Sequence, residues 1–128
     1  MLQQIAPLRK RSQQSGGFTL VEILVVVAVI GLLVAIAIPQ IAAYRSTAVD
    51  AAMKSDLRNA SVAVEAYFAK QGVLPASTAE ISGYGFQPSG GVTMSFVVLS
   101  TNSYQLTAAK PGGTQPTFSF DSMTGSIY

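Results

Sequence analysis

The sequence predicts an α+β fold in which a long N-terminal α-helix packs against a small C-terminal antiparallel β-sheet. Three features lead to this prediction. Residues 18–38 are almost entirely apolar, residues 41–70 carry apolar side chains at helical spacing, and residues 92–128 contain short alternating segments separated by turns. With 128 residues, the chain has room for about one domain.

The first element, residues 18–38, is long and apolar enough to cross a membrane. Glu22 is its only charge, and at about 1.5 Å per residue a helix of this length spans roughly 30 Å. The basic residues Arg9, Lys10 and Arg11 precede it. The positive-inside rule therefore places residues 1–17 in the cytoplasm and the body of the chain outside.

A candidate cleavage site precedes the apolar run, whereas the sequence after the run does not fit a secretory cleavage site. Ile38-Pro39-Gln40 lacks the small residues at which an ordinary secretory signal is cut. Gly16 and Gly17, by contrast, provide an accessible backbone just before the run. A cut after Gly17 would leave the whole apolar segment on the mature chain.

Glu22 is the most informative residue of the apolar run. A carboxylate inside a bilayer costs about 2.5–3.5 kcal/mol and therefore needs a partner. Cleavage after Gly17 would create one, the new amine of Phe18, which lies four residues earlier on the same helix face. The pair could close within one chain or between two. The alternative interpretation is an incidental acid near the membrane interface.

The segment Gly17-Phe18-Thr19-Leu20-Val21-Glu22, followed by an apolar run that contains Gly31 and ends at Pro39, resembles the type IV pilin family. The resemblance covers residues 9–45 closely and extends more loosely to about residue 75. It implies a leader, residues 1–17, that a prepilin peptidase removes between Gly17 and Phe18 before Phe18 is N-methylated. It also implies that Thr19 lies beside the new terminus and that Glu22 is needed for assembly.

The same resemblance implies a function and partners. The chain would be a structural subunit that is inserted in the bacterial inner membrane before assembly. It would then polymerise with identical subunits into a surface filament, a pilus. Its partners would be the prepilin peptidase, an inner-membrane assembly platform and minor pilins. Motility, adhesion, DNA uptake and electron transfer stay open as roles of that filament.

Gly31 and Pro39 predict a weak part of the helix. Pro39 lacks a backbone donor and clashes with the preceding turn, and Gly31 lowers helix propensity. The family resemblance implies that the helix between them melts when subunits pack into a filament. A simple kink at the membrane exit is the alternative.

Residues 40–71 predict the amphipathic half of the helix, after the hydrophobic half at residues 18–39. Gly72 and Pro75 end the pattern, so we expect one helix from Phe18 to Lys70. Asp50 and Lys54 are expected to form an i,i+4 ion pair. The apolar stripe consists of Met53, Leu57, Ala60, Val64, Tyr67 and Phe68.

The remainder predicts a connecting loop at residues 72–91, fixed by Tyr84 and Phe86, and a β-sheet head at residues 92–128. Alternation places four side chains of the first strand on one face. Inward positions are predicted at Val92, Met94, Phe96 and Val98, then at Tyr104, Leu106 and Ala108, then at Phe118, Phe120 and Ile127.

The acidic residues of the body show no catalytic pairing. Asp50, Asp56, Glu65, Glu80 and Asp121 are predicted to be solvated or ion-paired. The segment from Asp121 to Gly125 has oxygen donors suited to calcium, but a turn capped by Asp121 is favoured. The resemblance to pilins, some of which are proposed to carry electrons through stacked aromatic residues, raises this role for Tyr44, Tyr67 and Phe68. Core packing is the simpler interpretation of the last two.

Three hypotheses for function follow. The chain is a type IV pilin, a pseudopilin of a type II secretion system, or a single-span, membrane-anchored binding protein that does not polymerise. A calcium loop is expected of the major pseudopilin, and none is evident in this sequence, which favours the pilin. Glu22 argues against the plain anchor, which has no use for a carboxylate in its membrane helix.

Overall fold

The structure, a computed structural model, describes residues 16–128 and confirms the predicted α+β class. A single helix, α1 (Leu20–Gln71), is followed by a short helix, α2 (Thr78–Ile81), and a 3₁₀ turn, η1 (Ser82–Tyr84). Four strands complete the chain: β1 (Thr93–Ser100), β2 (Ser103–Ala109), β3 (Thr117–Asp121) and β4 (Ser126–Ile127).

The chain divides into two units that are described separately, one ending at Ala37 and one from Ile38 to Tyr128. In the first unit, the side chains of α1 are exposed on every side. An 18-residue window of α1 has a mean hydropathy of 3.1, and none of that window is buried. By length and composition, α1 can therefore cross a membrane.

In the second unit, α1 buries most of the predicted apolar stripe against the sheet, while Phe68 is only partly buried. Met53, Leu57, Ala60 and Val64 have no exposed surface, and Tyr67 packs against the same core. The helix stops because Gly72 adopts a left-handed φ of 74°, and its N–H donates to the carbonyl of Phe68 at 2.8 Å. This is the helix-ending glycine that the sequence predicts.

The four strands form one antiparallel sheet in the order β1-β2-β3-β4. Its register pairs Phe96 with Leu106 and Leu106 with Phe120, which places these side chains on the face toward the helix. Tyr104, Leu106, Ala108 and Phe118 are buried, while Met94, Phe96, Phe120 and Ile127 are partly buried against the core. The predicted alternation is confirmed at these positions.

Val98 departs from the predicted pattern. It pairs with Tyr104 and so has the same orientation as Phe96, but it is 47% exposed. The helix has already ended at Gln71, and residues 73–76 only partly cover this end of the sheet. The register also shifts between Val98 and Ser100.

Residues 72–91 contain more structure than the predicted loop. Ile81 of α2 is fully buried, and Phe86 is nearly so. Glu80 accepts a hydrogen bond from the backbone N–H of Ala76 at 2.8 Å, which satisfies a donor just before the helix. Tyr84 packs edge-on against Tyr67 at 5.4 Å between ring centroids. Tyr84 and Phe86 therefore hold this segment on the core, as predicted.

Asp50 and Asp56 correct the sequence prediction, because both are buried and neither is merely solvated. Asp50 accepts hydrogen bonds from the N–H of Thr114, at 2.9 Å, and from the Thr114 hydroxyl. Asp56 accepts two bonds of 2.8 Å from the N–H and hydroxyl of Ser89. Each aspartate thus fastens a loop to α1. The Nζ of Lys110 links the same two loops by donating to the carbonyl of Gly90 at 2.7 Å.

The close approach of the β2–β3 loop to Asp50 requires a glycine. A Cβ added to Gly113 would lie under 3.0 Å from the Asp50 carboxylate and 2.9 Å from the carbonyl oxygen of Gln115.

Lys54 interacts with an aromatic ring as well as with its predicted partner, Asp50. The Lys54 ammonium lies 4.5 Å from the centroid of the Phe118 ring, an arrangement that favours a cation–π contact.

The Asp50 contact predicts a dependence of stability on pH. The Thr114 hydroxyl, helped by backbone N–H groups and Lys54, holds the pKa of Asp50 below its ordinary value of 3.8 despite partial desolvation. A lowered folded-state pKa stabilises the fold above the unfolded pKa, and this stability is lost as pH falls through the folded pKa. Asp50→Asn in detergent-solubilised full chain should therefore flatten the fall in melting temperature as the pH is lowered through the ordinary value of 3.8 and below it.

Thr114→Val provides the matched variant, because it removes the hydroxyl that contributes most to the shift. It should flatten the same part of the curve while keeping the Asp50 carboxylate. If the melting temperatures of both variants fell with pH as steeply as that of the wild type, Asp50 would not be the group responsible for this pH dependence.

Candidate processing and assembly site

The predicted cleavage point lies in exposed, non-helical chain. Residues 16–19 precede the first helical residue, Leu20, and all are exposed. A Cβ placed on Gly16 or Gly17 would meet no atom of the described residues within 4 Å, and Phe18 is 83% exposed. The Gly17–Phe18 peptide is therefore accessible to a protease. The basic residues of the predicted leader, Arg9, Lys10 and Arg11, lie outside the described residues.

Thr19 and Glu22 form a reciprocal cap on the first turn of α1. The Glu22 carboxylate accepts from the N–H of Thr19 at 2.7 Å and from its hydroxyl at 2.9 Å. In return, the Thr19 hydroxyl oxygen accepts from the N–H of Glu22 at 3.2 Å. This is a capping box, in which two otherwise unsatisfied backbone donors find partners.

Sequence reasoning missed this cap, although the signal was present as Thr-x-x-Glu at the start of an apolar run. The structure thus gives Glu22 a partner that exists before any cleavage. The cap also fixes where the carboxylate lies, at the positive end of the helix dipole and beside the residue that follows Phe18. Thr19 and Glu22 are therefore one structural feature.

Gly31 and Pro39 both lie within α1, which is continuous across them. Among residues 16–128, a Cβ on Gly31 would contact no neighbouring atom within 4 Å, so no close packing in this part of the chain requires the glycine. The predicted loss of helix between the two residues concerns the packed filament, and it stays a prediction.

The acidic turn after β3 has the geometry of an Asp-capped turn. Asp121 accepts a hydrogen bond from the N–H of Met123 at 2.7 Å through its Oδ1 atom. Within residues 16–128, the structure shows no group of three or more His, Cys, Asp or Glu residues placed to hold a metal. Among the aromatic residues, Tyr67 packs on the core, Phe68 is partly buried and Tyr44 is 71% exposed.

Comparison with known proteins places this geometry in a family. A family profile described as the prokaryotic N-terminal methylation motif matches residues 12–38, which include Gly17, Phe18 and the capping box. The type IV wide pilus major component PilA4 of Thermus thermophilus is 35% identical over 103 residues, which cover 80% of this chain and 79% of the relative. The chain belongs to the type IV pilin family.

A solved structure agrees with this assignment. A type IV pilin protein from Thermus thermophilus superposes with a TM-score of 0.50 and 26% sequence identity, covering 62% of this pilin and 94% of the solved chain. The pilin fold of a long helix and an antiparallel sheet is thus shared. These relatives are structural pilus proteins. The apolar helix of this pilin is consistent with membrane anchoring and with a filament.

Proposed function

We propose that this pilin is inserted in the bacterial inner membrane through residues 18–39, cleaved after Gly17, N-methylated at Phe18 and polymerised into a surface filament. In this proposal, residues 1–17 are the leader, residues 40–71 carry the head, residues 72–91 connect, and residues 92–128 form the sheet. The observation that carries the proposal is the capping box, which holds the Glu22 carboxylate next to an exposed Gly17–Phe18 peptide.

Cleavage changes the electrostatics of this site. It converts the amide nitrogen of Phe18 into an amine with an ordinary pKa near 8, which is protonated at neutral pH. Phe18 precedes the capping residue Thr19, and a carboxylate at position 22 lies about one helical turn away. The amine can therefore pair with the Glu22 of its own chain or with that of a neighbouring subunit.

Pairing between subunits would set their register. A carboxylate that is moved from one helix surface into an apolar bundle loses solvation, and an opposite charge offsets that loss. A subunit whose Glu22 meets the amine of the preceding subunit is thus favoured over one that is displaced along the filament axis. Before this pairing, the hydrogen bonds with Thr19 would keep the Glu22 carboxylate in position.

The apolar surface of α1 supports polymerisation. In the first unit, its side chains are exposed on all sides, among them Leu24, Val27, Leu32 and Ile36 at 59–64%. Such a surface requires lipid before assembly and other apolar helices afterwards. Melting of the helix between Gly31 and Pro39 would let the two ends of α1 adjust independently during this packing.

The other partners follow from the family. We infer that a prepilin peptidase acts at Gly17–Phe18, and that an assembly platform and minor pilins act before filament growth. The relative PilA4 is named as the major component of a wide pilus, which favours a pilus subunit over a secretion pseudopilin. In a non-polymerising membrane anchor, Glu22 would serve only as part of the helix cap.

Mass spectrometry of material sheared from cells that express this chain tests the proposal. We expect abundant subunits that begin with N-methylated Phe18 and have lost residues 1–17. Subunits that begin with Phe18 but stay in the envelope would favour the pseudopilin. Chains that retain Met1, or that begin beyond Pro39, would contradict the proposed cleavage.

A further inference from the structure

The helix α1 has an exposed segment just before the core of the head. Residues 40–48 are exposed, apart from the partly exposed Ser46. Within the described part of the chain, the first apolar side chain of α1 that packs against the head core is Val49. The core therefore begins beyond this segment and leaves Ile41 and Tyr44 uncovered, at 51% and 71% exposure.

The two hydroxyl side chains of this segment find their hydrogen-bond partners on the helix itself. Ser46 and Thr47 both donate to the carbonyl oxygen of Ala43, at 2.9 Å and 3.0 Å. Such bonds satisfy a hydroxyl where water is scarce, as it is at the edge of a bilayer. The segment is thus suited to lie in the layer where a helix leaves the membrane.

Tyr44 and Arg45, the membrane-exit pair, carry the side chains that suit this layer. Each combines an apolar body with a polar end, which lets it lie between hydrocarbon and water. Arg45 is the first charged residue after Glu22, and its side chain is exposed. The next acid along the chain, Asp50, is bound to Thr114 instead. The Arg45 guanidinium is therefore available to an anion outside the chain.

The position of the pair along the chain matches the thickness of a bilayer. From residue 18 to residue 45, a helix extends about 40 Å, and a bilayer with its headgroups is about 40–45 Å thick. With Phe18 at the inner surface, the membrane-exit pair reaches the outer headgroup layer. The leader has three basic residues against the one of the pair, so the predicted orientation is unchanged.

We propose that the membrane-exit pair binds the phosphate groups of phospholipids in the outer leaflet of the inner membrane, and so fixes the depth of the subunit before assembly. This inference rests on the proposed insertion of the helix, to which it adds a lipid contact. The occupant is a phospholipid because its phosphate lies at the level of Arg45, and a guanidinium matches phosphate in charge and in hydrogen-bond geometry. Entry into a filament would then require the subunit to release this contact.

A depth measurement in vesicles tests the contact, because the chain contains no cysteine and can carry a single reporter. Full chain with Ala48→Cys, labelled with a nitroxide, is reconstituted in vesicles of phosphatidylethanolamine and phosphatidylglycerol. The depth of the label is measured by EPR power saturation with oxygen and a water-soluble nickel complex. In Tyr44→Leu/Arg45→Leu, we expect the label to move toward the bilayer centre by about 5 Å, one helical turn, because the apolar surface is longer.

Two variants serve as controls for this shift. Arg58→Leu removes an exposed charge about 20 Å farther along the same helix and should leave the depth unchanged. Tyr44→Trp/Arg45→Lys keeps an aromatic ring and a cation, and it should keep the wild-type depth. Near-ultraviolet circular dichroism of each variant checks that the head is folded.

A change of lipid tests whether phosphate is what Arg45 binds. The single variant Arg45→Leu is compared with the wild type in the phospholipid vesicles and in vesicles of digalactosyldiacylglycerol, whose headgroup has no phosphate. We expect Arg45→Leu to shift the label in the phospholipid vesicles only. An equal shift in both lipids would overturn phosphate binding.

The remaining outcomes separate this inference from the proposed function. If Tyr44→Leu/Arg45→Leu leaves the label at the wild-type depth, the pair does not anchor the helix, while insertion itself still stands. An equal shift in Arg58→Leu would also overturn the inference, since the position of the charge would then not matter. If sodium carbonate extracts the wild-type chain from the vesicles, the proposed membrane insertion fails.

Discussion

Glu22→Ala is expected to lower the amount of surface filament by at least about tenfold, because it removes the charge that would pair with the Phe18 amine and set the register between subunits. The chain should still enter the membrane, since the substitution makes the segment more apolar. It should also still be cut, because the Gly17–Phe18 peptide stays exposed. Filament yield is measured by shearing and immunoblotting, and cleavage by the mass of the membrane-bound pool.

One further variant, Glu22→Gln, separates the charge of Glu22 from its role as a cap. Glu22→Gln keeps an oxygen that can accept from the N–H of Thr19 but removes the charge. We expect it to fail like Glu22→Ala. Recovery of filaments in Glu22→Gln would show that capping, and not pairing with the Phe18 amine, is what assembly needs.

Thr19 variants provide the matching test from the other side of the cap. Thr19→Ser keeps the hydroxyl that bonds to Glu22 and should assemble like the wild type. Thr19→Val has a similar shape without the hydroxyl, and we expect fewer filaments because the carboxylate is less well positioned. Equal yields from the two variants would contradict a positioning role for Thr19.

Leu57→Ala is expected to destabilise the head by about 2–5 kcal/mol, since it removes buried methyl groups and leaves a cavity. Leu57 has no exposed surface and belongs to the helix stripe under the sheet. Typical domains are stable by only about 5–15 kcal/mol. A loss of this size would raise the unfolded fraction of subunits by about 30-fold or more and would reduce the pool available for assembly.

The measurement is urea unfolding of the full chain in detergent, followed by near-ultraviolet circular dichroism. The chain has 5 Tyr and no Trp, and Tyr104 is buried between α1 and the sheet, so this signal reports on the head. Val62→Ala is the control, because Val62 is 70% exposed on the same helix. It should change the free energy of unfolding by no more than about 0.5 kcal/mol. Similar losses in both variants would contradict the burial of Leu57.

Most of the fold could be predicted because its signals are local. The apolar run and the spacing of Met53, Leu57, Ala60 and Val64 identify one long helix, and alternation identifies the strands. The sequence predicted a helix that begins at Phe18, whereas α1 begins at Leu20, because Thr19 serves as its cap. The short helix α2 was missed because its apolar content is slight, apart from the buried Ile81.

The burial of Asp50 and Asp56 was harder to predict. Asp50 lies three residues before Met53, and Asp56 lies four before Ala60, so both continue the buried face of the helix. That spacing was a usable signal. Their partners were not predictable, because Thr114 and Ser89 are brought to the helix only by the folding of distant segments. The exposure of Val98 has the same origin, since it depends on where α1 ends relative to β1.

The bonds of the two aspartates have a consequence for the order of folding. They join residues 64 and 33 positions apart in the sequence, whereas every backbone bond of α1 joins near neighbours. Contacts across long separations form late, because a long stretch of chain must first be ordered. We therefore expect the helix to form while the sheet is still being assembled, with the loop at Thr114 among the last segments to settle. A newly inserted subunit would then expose its unfinished sheet edges until both loops had closed on the helix.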